Sequence, residues 1–234
     1  YGGERGDDAD KRAQWTPMLP CRLGGAATDT LPLAMKPVFI HVSKNGGTSV
    51  VRSAGAHIVS AGHRTAASWI TEHGRSGPLF AVVRDPYDRV VSEYAYRRSR
   101  LHSGERNAHL PSAEAPFDRW VMSTFLGGQF RTQEFFDRTG TPHESANMVD
   151  GNLIWFVPQT KWLCDDNKQL LVDTVLRFEK LDEDWAQFSH AHGFECPLLH
   201  ANASPRSAEL RAELDPRVKG MIYHHYREDF EVFS

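Results

Sequence analysis

A three-layer α/β domain with a mainly parallel central sheet is what this 234-residue sequence predicts, and three stretches carry the prediction. Lys36 to Ser53, KPVFIHVSKNGGTSVVRS, passes from an apolar, β-branched run (Val38 to Val42) through a polar, glycine-bearing turn (Ser43 to Gly47). Thr48 and Ser49 then open a helical pattern. Pro78 to Val83, PLFAVV, suits a strand buried on both faces, and it leads into a helix whose first turn holds Pro86. Asp173 to Phe178, DTVLRF, is a third strand, followed by a helix with Asp and Glu at its start. Repeated strand–turn–helix units place parallel strands in one sheet and ligands at their carboxyl ends.

Taken in order, residues 1–35 are polar and then rich in Pro, Gly, Ala and Thr without a sustained period, which reads as an arm or leader ahead of a single domain over 36–234. The turn at Ser43 to Gly47 is a phosphate cradle. Successive backbone N–H groups and the positive end of the next helix face one concavity, Gly46 and Gly47 admit an anion closely, and Lys44 adds a full charge. It is not the nucleotide triphosphatase loop, because GxxxxGK[ST] sets its lysine after the glycines whereas Lys44 precedes both. The helix is expected to run from Val50 to Ser60, with His63 where helix gives way to loop.

Arg84 ends the second strand, and Ser92 lies about two helical turns on, within reach of the same phosphate. Asp85, Asp88 and Arg89 read instead as a helix-capping network. Phe117 to Phe125 and Gln129 to Arg138 read as helices among loops suited to acceptor binding. Leu153 to Trp162 reads mainly as aromatic core, with Gln159 and Lys161 as candidates for a cleft wall. Asp215 to Phe230 reads as a closing helix with Val218, Met221, Ile222 and Tyr226 on its apolar stripe.

With a net charge of −3, the chain is not a general nucleic-acid binder, so an anion site must be local. Cys21, Cys164 and Cys196 lack metal-ligand spacing and leave room for one disulfide. No apolar run is long enough to span a membrane. The chain begins with Tyr1, as a trimmed catalytic portion would.

Two anion loops on successive strands resemble those of the PAPS-dependent sulfotransferases, in the branch that holds the Golgi carbohydrate sulfotransferases. FIHVSKNGGTS is similar to that family's 5′-phosphosulfate loop and VVRDPYDRVVSEY to its 3′-phosphate loop. WFVPQTKWL, VLRFEKLDEDW, LLHANAS and IYHHYREDFEVF are similar to its later landmarks, so the resemblance covers essentially Lys36 to Ser234. Ser43 and Asn45 depart from the family's usual Pro-Lys-Thr-Gly-Gly-Thr-Ser. Asn152, Trp155 and Phe156 stand where many relatives carry a histidine before the Pro-Gln pair.

The resemblance implies a P-loop-like sulfotransferase fold and in-line transfer from PAPS, releasing PAP, with no metal. It places Lys44 at the leaving oxygen, Lys44, Asn45, Gly46, Gly47, Thr48 and Ser49 around the 5′-phosphate, Arg84 and Ser92 at the 3′-phosphate, and Arg206 over the nucleotide. His63 resembles the acceptor-activating histidine of the glycan 2-O-sulfotransferases, and a histidine pKa near 6.5 suits a general base. His57, His41 and His102 compete for that role, and Glu93 follows them. The expected acceptor is a carbohydrate hydroxyl, with a small-molecule alcohol or phenol as the variant. An ATP-dependent phosphoryl-transfer enzyme on a similar cradle, or a binding protein that has lost transfer, are the other classes. The compartment is the Golgi lumen for a trimmed, anchored enzyme and the cytoplasm otherwise; the sequon Asn202-Ala203-Ser204 is a weak pointer to the former.

Overall fold

The computed structural model of the chain describes residues 22–23, 36–103, 115–126, 148–149, 152–153, 156–201 and 214–233. The strands in chain order are β1 (Arg22–Leu23), β2 (Val38–Ile40), β3 (Val59–Ser60), β4 (Leu79–Val83), β5 (Met148–Val149), β6 (Asn152–Leu153), β7 (Thr174–Arg177) and β8 (Phe194–Glu195). The α-helices are α1 (Gly47–Ala54), α2 (Ala66–His73), α3 (Pro86–His102), α4 (Phe117–Leu126), α5 (Gln159–Leu163), α6 (Leu181–Ala191), α7 (Pro216–His225) and α8 (Arg227–Phe233).

The central sheet has the order β3-β2-β4-β7 and is parallel throughout, with Val38 opposite Val59 and Leu79, and Phe80 opposite Thr174. Each crossover passes through a helix, as parallel neighbours require. The strand period of two sorts the side chains. Val38, Ile40, Leu79, Ala81 and Val83 join Trp69, Trp162 and Leu163 on one face. Phe39, Phe80, Val82 and Leu176 join Val50, Trp185 and Phe188 on the other. Both faces are therefore covered, which is why these strands read as unbroken apolar runs. A third cluster packs α3, α4 and α7 around Trp120, Phe156 and Tyr226.

Three expectations change. The helix expected to reach Ser60 stops at Ala54, because Gly55 takes a left-handed φ of 52°. A short 3₁₀ turn follows, and Val59–Ser60 then forms an edge strand of the sheet. The closing helix is two helices, broken at Tyr226, whose backbone leaves helical geometry. Arg22–Leu23, within the expected arm, pairs antiparallel with β8. Gln129 to Arg138, read as a helix, lies outside the described residues.

Cys164 is a free, buried thiol, and Cys196 is disulfide-bonded. Among the described residues no helix is long and apolar enough to cross a membrane.

Candidate active site

The carboxyl ends of β2 and β4 meet here. After β2 the chain turns through Lys44 with φ of 67° and Gly46 with φ of 78° before α1 begins at Gly47. Two positive-φ residues on either side of Asn45 curl the backbone into a concave nest of N–H groups. No side chain caps α1 at Gly46. The Ser49 and Val50 N–H groups both donate to Gly46 O, at 2.9 and 3.3 Å, and the N–H groups before them lie at the positive end of α1, which suits an external anion. Gly47 is required sterically, because a Cβ there would stand 2.1 Å from the His41 ring.

That ring packs against two others. It stacks on Phe39 with centroids 5.4 Å apart and lies 4.6 Å from the ring of His63. Burial, followed by the nearby His63, lowers the His41 pKa to about 4, so this histidine is neutral at physiological pH and wedges the cradle. His63 Nδ1 lies 3.0 Å from the His41 carbonyl oxygen. A carbonyl only accepts, so Nδ1 donates and the lone pair resides on Nε2. Burial lowers the His63 pKa, and its bond to the His41 backbone pulls in the opposite direction.

A hydrogen-bonded seam joins the two loops. Asn45 Nδ2 donates to Val82 O at 2.8 Å and to Gln159 Oε1 at 2.6 Å. Gln159 Oε1 also accepts from the Arg84 N–H at 2.9 Å, and Gln159 Nε2 donates to Arg84 O at 2.9 Å. Asn45 and Gln159 are both buried. The Asn45 side chain thus points into the seam, leaving its backbone for the cradle. The Asn45 departure and the Pro158-Gln159 landmark, noted separately in the sequence, meet as partners. Asp229 of α8 anchors Gln159 in turn, accepting from the backbone N–H of Gln159 at 2.8 Å and of Thr160 at 2.9 Å.

Arg84 is part-buried. Its guanidinium donates to Lys44 O at 3.3 Å and lies 4.0 Å over the Phe178 ring, and its buried Nε has no hydrogen-bond partner among the described residues. Burial lowers its pKa against the raising influence of Asp88, Glu179 and Asp85, but a guanidinium stays charged. Lys44 Nζ stands 3.9 Å from the centre of the Tyr96 ring, and burial lowers the lysine pKa while Glu93 raises it. Two cations beside an uncapped helix end and an unpartnered buried N–H make a donor set suited to anionic groups.

Other expected residues fall differently. Ser49 is buried on the inner side of α1, where its Oγ accepts from the Ala201 N–H at 3.1 Å. Thr48 and Ser92 are partly exposed at their helices' surfaces. Asp85 does cap α3, accepting from the Asp88 N–H at 3.0 Å. Arg89, expected in that cap, is buried and also donates to Ser43 O at 3.1 Å and Val157 O at 2.8 Å. Glu93 is buried and paired with Arg97 at 2.6 Å. Lys161 is exposed. Arg206 lies outside the described residues. The clamp role of Arg89 had no signal in the sequence, since spacing within α3 shows only its helical neighbours.

Among the described residues no group of three or more His, Cys, Asp or Glu side chains is placed to hold a metal. No curated protein matches the chain. The model of the Sulfotransferase family matches residues 75–234, more than half of the chain, from just before β4 through Arg84, Ser92 and α8. That stretch carries the second anion loop, the Gln159 turn and the closing helices, around a parallel sheet of sulfotransferase type. On that match the chain belongs to the sulfotransferase family, and it is an enzyme that transfers sulfate from the PAPS donor.

Proposed function

We propose that the acceptor is a carbohydrate hydroxyl and that His63 is the base that activates it. Lys44 neutralises charge on the leaving oxygen. The N–H groups from Asn45 to Thr48, together with the Ser49 hydroxyl if its bond to Ala201 is exchanged, receive the 5′-phosphate. Arg84 and Ser92 receive the 3′-phosphate, and Arg206 is assigned to the nucleotide by family position alone. The observation that carries this reading is the joining of the two loops: Arg84 touches the Lys44 carbonyl, and Asn45 and Gln159 bind the strand ends below them. A donor with phosphates at both ends of one ribose needs two anion sites at a fixed separation, and this seam supplies rigidity. The choice of a carbohydrate rests on the resemblance of the loop and landmark sequences to the Golgi branch.

In the transfer, the acceptor oxygen forms a bond to sulfur as the bridging S–O bond breaks and its electron pair leaves on the phosphate oxygen. His63 Nε2 takes the acceptor proton, and its Nδ1–H stays on the His41 carbonyl, which keeps the imidazole in the productive tautomer. Lys44 must be charged and His63 neutral. Their shifts set the working window. His63 is protonated as pH falls through a pKa below 6.5, so activity is lost on that side. Lys44 loses its proton as pH rises through a pKa below 10.5, so activity is lost there too.

The test is transfer of labelled sulfate from PAPS to a panel of oligosaccharides, simple alcohols and phenols, over pH, for the wild type and His63→Ala. The expected result is transfer to an oligosaccharide with a bell-shaped profile. His63→Ala should lower kcat by roughly 10²–10⁴-fold, remove the acid limb and leave PAP binding intact. Full turnover in His63→Ala would remove the base assignment, and transfer only to phenols would replace the acceptor.

A further inference from the structure

Lys44 is surrounded by charge. Glu93 and Arg97 approach it from α3, Arg84 from the end of β4, and its ammonium rests on the ring of Tyr96. A buried carboxylate next to a buried ammonium is expected to close on it, because opposite charges attract strongly away from water. A lysine locked in such a pair would have its charge neutralised before any substrate arrived. The structure has another arrangement. Glu93, 1% exposed, pairs with Arg97, 2% exposed, at 2.6 Å across one turn of α3. Arg97 is held on its other side by the Phe156 ring, 5.5 Å from the guanidinium. Glu93 Oε2 is buried with no hydrogen-bond partner among the described residues, so the carboxylate retains capacity for a second cation.

Tyr96 is 43% exposed, and its ring centre lies 3.9 Å from Lys44 Nζ and 5.7 Å from the Arg100 guanidinium. An ammonium on a partly exposed ring face is held weakly and exchanges readily for an anion, unlike a closed buried ion pair.

We propose that Arg97 and Tyr96 are positioning residues for Lys44. Arg97 keeps the Glu93 carboxylate engaged, and the Tyr96 ring gives the ammonium a resting face, so that the lysine charge stays available to the leaving oxygen. This rests on the assignment of Lys44 in the reading above. Without Arg97, the Glu93 carboxylate, whose charge already acts on Lys44, draws it inward. Without the ring, the ammonium loses the face that opposes that pull.

The experiment uses the full chain and a readout that does not need turnover. Lysines are dimethylated with a ¹³C label and the Lys44 resonance, identified by its loss in Lys44→Arg, is titrated by NMR. PAP affinity and kcat are measured beside it. Arg97→Gln should raise the Lys44 pKa by about one unit or more, since a like charge is removed and an opposite one released. It should lower kcat at least about tenfold while PAP affinity stays within about threefold. Glu93→Gln combined with Arg97→Gln should return kcat to within about threefold of Glu93→Gln alone, because the competing carboxylate is gone. Tyr96→Phe should behave as the wild type, and Tyr96→Leu should lose about three- to tenfold in kcat.

An unchanged Lys44 pKa in Arg97→Gln, with a double variant no better than the single one, would show that Arg97 only packs, and the proposal falls. Should Arg97→Gln fail to fold, the exposed Tyr96 pair decides: Tyr96→Leu equal to the wild type in both kcat and Lys44 pKa overturns it. If Lys44→Ala keeps full turnover, the underlying assignment of Lys44 fails instead, and the titration still reports whether Arg97 governs the lysine.

Discussion

The two loops proposed to hold the donor's phosphates reach the same end of the sheet by different physics. The cradle after β2 works through backbone shape: Lys44 and Gly46 are left-handed, Gly47 has no space for a Cβ, and His41 fills the volume behind it. The loop after β4 works through a side chain. Arg84 follows an ordinary strand and precedes a conventionally capped helix, and its guanidinium supplies the charge. A site made of shape is broken by one added methyl group, whereas a site made of charge is broken by losing the charge and partly restored by replacing it.

Gly47→Ala tests the first half and carries the largest expected effect. The new Cβ would meet three atoms of the His41 ring at 2.1, 2.1 and 2.9 Å, and the ring is trapped between Phe39 and His63. Overpacking of this kind costs about 1–3 kcal/mol, and here relief comes only by moving the loop itself. PAP affinity measured by calorimetry should fall more than about a hundredfold, or roughly 2.7 kcal/mol. His41→Ala in the same chain should recover part of it. A Gly47→Ala variant that binds PAP like the wild type would show that the cradle is not shaped by this contact.

Arg84→Ala comes next. Loss of charged hydrogen bonds to a phosphate costs about 1.5–3 kcal/mol, so PAP affinity should fall about ten- to a hundredfold. Arg84→Lys should recover part of that, since it keeps the charge but not the planar fork. Salt should weaken the wild type more than Arg84→Ala, because the screened interaction is the one removed. Equal loss in the lysine and alanine variants would mean that the fork geometry, not the charge, carries this loop.

The same contrast explains what the sequence made legible. The buried strands were readable because both faces of the sheet demand apolar side chains, leaving Val38 to Ile40 and Leu79 to Val83 as continuous runs. Pro86 and Asp85 marked the start of α3 by local chemistry, and the structure places the helix there. What failed was the end of α1. Val50 to Ser60 continues a plausible helical pattern, but Gly55 ends it and the edge strand Val59–Ser60 is only two residues long. The link from Asn45 to Gln159 to Asp229 was illegible for another reason: it spans three elements far apart in sequence, and each residue alone has an innocuous polar reading. The wedging of Gly47 by His41 is likewise a contact between neighbours on a turn, which spacing alone does not reveal.

The two loops are not independent, and the smallest predicted effect lies where they meet. The Phe178 ring lies under the Arg84 guanidinium at 4.0 Å, and the same ring would stand 3.0 Å from a Cβ on Gly46. One aromatic face therefore supports the charged loop and closes the back of the shaped one. Phe178→Leu keeps apolar volume for the cradle while removing the ring face beneath Arg84, a contact worth about 0.5–1 kcal/mol where partly exposed. PAP affinity should drop about two- to fivefold, against a hundredfold for Gly47→Ala. In Phe178→Leu combined with Arg84→Ala, the Phe178 effect should nearly vanish, since the cation it supported is already gone. If instead the two losses add in full, Phe178 acts on the cradle through Gly46, and the ring belongs to the shaped half of the site.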